Sequence, residues 1–291
     1  MSDRGIVYDV RRQLQRIAYD IFGAEFMSKV YFRIVMHQKL NLENPQTLNE
    51  KMQWYKLNYC VKNPLVPLCA DKYRIREYLE KKGLMEYAIP LIGFWENAED
   101  IPWEDLPNQF AIKCNHGCAY NIICKDKSKF DTKAAAAKLN RWVKEDFGKF
   151  NAEPHYDQIK KGIVCEKYLG DGKEDFLVDY KFYCFNGQPA FVLICYDRTM
   201  NRHNEICYDL DWKPYNILKN PADPVERPSC FEEMIRVSRV ASEDFPFVRV
   251  DFYVYHDRPI IGELTFVSDG GMDSGITYEA DVELGKKMQL D

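Results

Sequence analysis

The chain has 291 residues, of which 46% are hydrophobic and 29% charged, with a formal net charge of −5. No apolar run approaches the 18 or more residues of a membrane span, and Met1 is followed by SDRG rather than by a signal-peptide pattern. The ten cysteines are scattered without a CxxC pair, and Cys114, Cys118 and Cys124 match no common zinc spacing, so reduced thiols in a cytoplasmic protein are expected. The charge is uneven: residues 1–82 hold 15 Lys+Arg and 9 Asp+Glu, a net of +6, and the remainder holds 25 and 36, a net of −11. An acidic body argues against a nucleic-acid groove, whereas a basic amino-terminal part suits a phosphorylated or membrane-bound partner.

Residues 7–40 read as helical, with Val10, Leu14, Ile17 and Ile21 at helical spacing and Arg11, Arg12, Gln15 and Arg16 on the other side. Such a helix either covers the core of its own domain or lies on an anionic membrane. After a break around Pro45, Thr47 and Glu50 have capping-box spacing and open a second helix; a third is expected over roughly 70–82, ending at Gly83. The pattern then turns to short β-rich runs near 87–95, 109–114 and 120–124. A helix over 131–147 contains Ala134–Ala137, and further strands are expected at 162–169, 176–186, 189–197 and 204–210. A Pro-rich connection (Pro214, Pro221, Pro224, Pro228), a helix near 230–243 and a hairpin over 245–266 complete the order. This is an α+β pattern dominated by antiparallel strands, preceded by a helical amino-terminal region.

In FAIKCNHGCAYNIIC (110–124) a strand bearing Lys113 runs into a short glycine-containing loop and straight into a second strand. Such a loop can fold over phosphates with its backbone N–H groups while the lysine supplies positive charge. It is not a Walker A loop, because GxxxxGK[ST] is absent and a strand follows where a helix should. In GIVCEKYLGDGKEDFLVDYKFYCFNGQP (162–189) one strand carries Glu166 and Lys167, and the next carries Asp179 and Lys181 before an Asn186-Gly187 hairpin turn. The end of the first strand can pair with the edge of an adenine, and Lys181 can reach phosphate.

The hairpin FPFVRVDFYVYHDRPIIGELTF (245–266) sets Arg249, Asp251 and Tyr253 on one face of its first strand and Glu263 and Thr265 on one face of its second. A three-residue loop at 256–258 would put Asp251 directly opposite Glu263. Like charges there are destabilising, so a divalent cation or Arg249 must compensate.

Lysine strand and loop, Glu-Lys-Tyr-Leu, strand lysine, then Arg-x-Asp and Glu-x-Thr on a terminal hairpin resembles the order in ATP-grasp enzymes. The chain resembles more specifically the TupA-like ATP-grasp family, named for a teichuronopeptide-biosynthesis protein. The strings are PQTLNEKMQWYKL (45–57), ADKYRIREYLEKKG (70–83), AIKCNHGCAYN (111–121), DYKFYCFNGQP (179–189), YDLDW (208–212) and VRVDFYVYHDRPIIGELTF (248–266). The resemblance implies two α+β subdomains gripping ATP between antiparallel sheets. A helical region would occupy 1–69 and the ATP-grasp domain 70–291, with a phosphate-loop half at about 108–165 and a metal and catalytic half at 166–291.

On the same resemblance, Lys113 binds the nucleotide, and the loop from Asn115 through His116 and Gly117 to Asn121 closes over the phosphates. Glu166 to Leu169, with Lys167 between them, form the adenine hinge. Glu174, Asp175 or Asp179 takes the ribose hydroxyls. Lys181 and Arg249 hold the terminal phosphates, and Asp251 and Glu263 ligate one or two Mg²⁺ ions. Thr265 stands where many relatives place an asparagine ligand, and the SDGGMDSG segment (268–275) lacks an expected proline. Arg198, in YDRTMNRHN, has the fork suited to clamping a substrate carboxylate.

The implied activity is a carboxylate–amine ligase joining an amino acid or amine to a sugar acid in surface (capsular) polysaccharide synthesis. Its expected setting is the bacterial cytoplasm, at the inner face of the membrane if the basic helix touches it. A small-molecule kinase would use the same residues. A non-catalytic envelope-assembly scaffold, the reading from another class, has no use for the Lys113, Lys181, Arg249, Asp251 and Glu263 set.

Overall fold

The computed structural model describes residues 6–170, 177–197 and 203–290. Helix α1 (Ile6–Val35) is kinked at Gly23, where φ is 78° and ψ 172°. Helix α2 (Leu48–Lys62) opens with the expected capping box: Thr47 Oγ1 accepts from the Glu50 amide at 3.2 Å, and the Glu50 carboxylate accepts from the Thr47 amide at 3.3 Å. The helix expected over 70–82 starts later, as α4 (Ile75–Lys81), and a separate short helix, α3 (Leu65–Ala70), precedes it. The break is at Asp71, whose backbone is extended and whose carboxylate accepts from the Tyr73 and Arg74 amides at 2.8 and 3.2 Å. A side chain that caps its own downstream backbone offers the chain an alternative to continuing the helix. Lys72 is thereby left in the turn between the two helices.

Strands β1 (Leu91–Trp95), β2 (Phe110–Cys114), β3 (Asn121–Cys124) and β4 (Ile163–Lys167) form a first sheet in the order β1-β4-β2-β3, with every pairing antiparallel. This sheet starts ahead of residue 108, and β4 crosses the division expected at 165/166. Helix α5 (Thr132–Val143), capped by Asp131, packs Ala135, Leu139 and Trp142 into the core beneath it, and α6 (Phe147–Phe150) follows.

Strands β5 (Asp179–Phe185), β6 (Gln188–Tyr196), β7 (Asn204–Tyr208), β8 (Phe247–Tyr255) and β9 (Arg258–Thr265) form the second sheet, ordered β7-β6-β5-β8-β9 and again antiparallel. Helix α7 (Phe231–Ser242) lies on β5, β6 and β8, and α8 (Tyr278–Lys287) docks on α2. The larger core joins this sheet to α2, α3, α4, α7 and α8.

Two turns decide the register of the second sheet. Asn186 and Gly187 sit at φ 50° and 73° between β5 and β6, as an Asn-Gly hairpin requires. The β8–β9 turn has two residues rather than the expected three: His256 and Asp257 are both left-handed (φ 50° and 58°), and Tyr255 faces Arg258. The pairing of Asp251 with Glu263 survives because the register shifts by one between Phe252, opposite Ile261, and Asp251. Gly262 is the extra residue, and a Cβ there would lie 2.7 Å from the Tyr253 ring.

Candidate active site

Antiparallel pairing aligns three side chains in one row across β5, β8 and β9, since Lys181 pairs with Asp251 and Asp251 with Glu263. The adjoining row is Tyr183, Arg249 and Thr265. The Arg249 guanidinium grips Asp251 through two parallel hydrogen bonds, Nε to Oδ1 at 2.7 Å and Nη2 to Oδ2 at 2.6 Å, and also donates to Ser268 Oγ. Lys181 Nζ lies 3.3 Å from Asp251 Oδ2 and 3.5 Å from Asp179 Oδ2. Cationic side chains therefore compensate the opposed acids.

The two acids differ in environment. The Asp251 side chain is 6% exposed and has both oxygens engaged. Burial raises its pKa against the lowering pull of Arg249 and Lys181. The Glu263 side chain is 38% exposed. Burial pushes its pKa up, but the combined field of Lys72, Lys181, Arg249 and Lys113 outweighs it and holds the carboxyl down to about 2. Lys113 belongs to the first sheet and Lys181 and Arg249 to the second, so both sheets converge on this one carboxylate. Thr265 Oγ1 donates to Glu263 Oε1 at 3.3 Å.

On the facing half, Glu166 is buried between Lys113 Nζ and Arg76 Nη2, each 2.6 Å from one of its oxygens. A carboxylate this buried needs such partners to stay charged. Lys167 holds its ammonium 4.9 Å from the centre of the Tyr255 ring and donates its amide to Pro90 O at 2.9 Å. Leu169 packs with Ile89 and Ile260.

The loop between β2 and β3 is fixed from within. Asn115 accepts from the Gly162 amide at 2.8 Å and donates to Lys160 O at 2.9 Å. The His116 ring is buried with Nε2 3.2 Å from Glu145 O; burial, and then Lys161, lower its pKa to about 4 and keep it neutral. These two side chains shape the loop from its inner side. Gly117 is left-handed at φ 80°, and a Cβ there would meet the Phe147 ring at 2.6 Å. Cys118 is the exposed cysteine of the ten, while Asn121 is exposed opposite Lys113.

Two residues escaped the sequence reading. Lys72 donates its amide to Asn115 O at 3.0 Å and its ammonium to Gly117 O at 2.8 Å, and lies 3.5 Å from Glu263 Oε2. It therefore spans from the loop to the second sheet. Arg76, four residues on, reaches Glu166. The i, i+4 spacing of the two cations in DKYRIR was the signal available, but only the break at Asp71 aims Lys72 at the loop. Arg198, Glu174 and Asp175 lie outside the described residues.

The donor set fits a Mg-nucleotide. Mg²⁺ prefers one or two carboxylates, shared with phosphate oxygens and water. Glu263 is an open, ionised donor with Asp251 across the strand and a hydroxyl beside it. Among the described residues, no group of three or more His, Cys, Asp or Glu is placed to hold a metal by itself.

The family model described as TupA-like ATPgrasp matches residues 50–289. No curated protein matches the chain. Among solved structures, a D-alanine–D-alanine ligase from Bacillus anthracis complexed with ATP is similar at 14% identity and TM-score 0.46, over 75% of this chain and 61% of that one. An L-amino acid ligase from Bacillus licheniformis is similar at 14% identity and TM-score 0.48, over 77% of this chain and 49% of that one. A D-alanine–D-alanine ligase from Helicobacter pylori is similar at 11% identity and TM-score 0.43, over 83% and 69%. The chain thus spans between about half and two thirds of the length of the first two. The family match, by contrast, runs from α2 through α8 and takes in both sheets and every cleft residue described above, so the chain belongs to the TupA-like ATPgrasp family.

Proposed function

We propose that the protein binds Mg-ATP in the cleft between its sheets and uses it to join a carboxylic acid to an amine. The observation that carries this reading is the convergence of Lys72, Lys113, Lys181 and Arg249 on the open carboxylate of Glu263. These cations also serve Asp251, Asp179 and Glu166, and a triphosphate entering the site would compete with those carboxylates for them. In the proposed assignment, Lys72, Lys113, Lys181 and Arg249 face the phosphates, and the backbone of Asn115 to Asn121 covers them. The Glu166 to Leu169 segment borders the adenine, Asp179 the ribose, and Arg198 the acceptor carboxylate. Glu263, Asp251 and Thr265 would hold the metal. Mg²⁺ bound there would supply charge neutralisation for the phosphoryl groups.

The chain's own residues account for the order of events. Arg249 and Lys181 exchange Asp251 for the terminal phosphate, which frees the Asp251 oxygens at the moment the nucleotide arrives. A substrate carboxylate oxygen then bonds the γ-phosphorus as the bridging P–O bond breaks and ADP leaves. The amine nitrogen attacks the acyl carbon, phosphate departs with the bonding pair, and the amine loses a proton. The substrates in this reading are an amino acid or amine and a sugar acid of a bacterial surface polymer, handled in the cytoplasm beside the membrane.

The test is ADP release with Mg-ATP across paired acids and amines, sugar acids included. ADP that appears only when both partners are present supports the ligase. A stable phosphorylated product from a single substrate identifies a kinase instead, and no turnover with any pair argues for the scaffold.

A further inference from the structure

Helix α1 begins ahead of the family-matched segment and supplies none of the cleft residues, yet it carries most of the large apolar side chains exposed among the described residues. Of the 13 large hydrophobic side chains exposed among the described residues, eight lie on this one helix. Val10, Leu14, Ile17 and Ile21 are 49%, 61%, 44% and 67% exposed. At about 100° per residue they fall within an arc of about 60°, a single stripe along the helix. Next to Ile21, the rings of Phe22 and Phe26 lie 4.8 Å apart and are 56% and 48% exposed. Isolated exposed apolar residues are ordinary, but a continuous stripe marks an interaction site.

The body already holds α1 by another face. Arg12 lies over the Phe150 ring at 3.9 Å, Gln15 donates to Phe150 O at 3.2 Å, and Asp20 pairs with Lys149 at 2.6 Å. The stripe is therefore not a core face waiting for the rest of this fold. Its charges are cationic on balance: Asp20 and Glu25 pair with Lys149 and Lys29, and Arg11, Arg16 and Arg33 are exposed. No helix among the described residues is long and apolar enough to cross a membrane.

We propose that this stripe docks α1 in the plane of an anionic membrane surface. An apolar stripe bordered by arginines is suited to the headgroup boundary, where the side chains enter the acyl region and the cations meet anionic lipid. Charge selects this occupant over a second copy of the chain. Helix α1 itself holds Arg11, Arg12, Arg16, Lys29 and Arg33 against Asp9, Asp20 and Glu25, a net of +2, so two copies meeting at α1 bring like charge together, while an anionic bilayer attracts. The rest of the chain, with a net of −7, is repelled by the same bilayer, which orients the protein with α1 against the surface and the acidic body away from it. The inference does not depend on the nucleotide reading: loss of docking leaves Mg-ATP binding intact.

The experiment is co-sedimentation of the full chain with phosphatidylcholine vesicles, with and without about 30% phosphatidylglycerol. Binding is expected only to the anionic vesicles and should weaken between about 0.1 M and about 0.5 M salt as screening shortens. Leu14→Asp with Ile21→Asp should reduce it at least about tenfold without changing the melting temperature, and Arg11→Gln with Arg16→Gln should weaken it while leaving the stripe in place. Three outcomes overturn the proposal: no pelleting with either vesicle, equal binding to both, or a dimer in lipid-free solution that the aspartate pair dissolves.

Discussion

Asp251 and Glu263 show how one cross-strand pair can divide its labour. Asp251 has both oxygens held by buried Arg249, whereas Glu263 keeps an open face and an ionised carboxyl. Removing one member of a buried ion pair typically costs about 3–5 kcal/mol, because the other charge is left unpaired. Arg249→Ala should therefore lose stability on that scale in urea unfolding. Adding Asp251→Ala should recover part of it, and independent losses that simply add would contradict the pairing. A second prediction concerns buried histidines. Burial lowers His116 to about 4 and His155 to about 3, from 6.5 when free, helped by Lys161 and Lys56 respectively. The unfolded chain then binds more protons below 6.5, so this part of the stability is whole above that pH and is lost as pH falls toward 4 and 3. Each such histidine contributes a slope of about 1.4 kcal/mol per pH unit in that window. His116→Gln should remove about one such slope between pH 6 and 4.5, as measured by urea midpoints. Burial near the opposed acids could be inferred from the alternation of 248–266, but the burial of His116 could not, since a loop histidine in the sequence looks like a polar turn residue.

At the scale of elements, short-range chemistry was legible and close backbone contacts were not. The Thr47–Glu50 cap and the Asn186-Gly187 turn follow from residue type and spacing alone. The two-residue turn at His256-Asp257 did not, because the pair lacks the glycine of the usual two-residue hairpin turn, and the bulge at Gly262 only compensates once that turn is known. The break at Asp71 depends on one side chain capping its own backbone, and it decides where Lys72 points. Helix α8 offers the sharpest test of packing. A Cβ on Gly285 would lie 2.2 Å from Gln46 O and 2.8 Å from Thr47 C, backbone atoms that cannot swing aside. Glycine to alanine inside an exposed helix ordinarily stabilises by about 1 kcal/mol. Here Gly285→Ala should destabilise by about 1–3 kcal/mol, the usual penalty for overpacking, and a gain in thermal stability would show that α8 does not approach α2 this closely.

For the molecule as a whole, the order of motifs reveals the family, while the geometry of the cleft comes only from folding. Lys113, Glu166, Lys181, Arg249, Asp251 and Glu263 could be picked out along the chain, but their convergence depends on two sheets meeting. Lys72 and Arg76 were missed because they come from outside both sheets, on a segment that reads as plain amphipathic helix. Cys118 is an exposed residue whose thiol pKa is raised by burial, and it lies in the same electrostatic neighbourhood as Glu263, Lys72 and Lys181. Alkylation of this cysteine should slow severalfold when Mg-ATP is added, and an unchanged rate would place the loop away from the nucleotide. The most direct measurement of the central claim is calorimetric titration of the protein and its Glu263→Gln variant with ATP, with and without Mg²⁺. The account predicts Mg-dependent binding to the native protein, with that dependence lost in the variant. Equal Mg-ATP affinity in both proteins, or no binding to either, would contradict it.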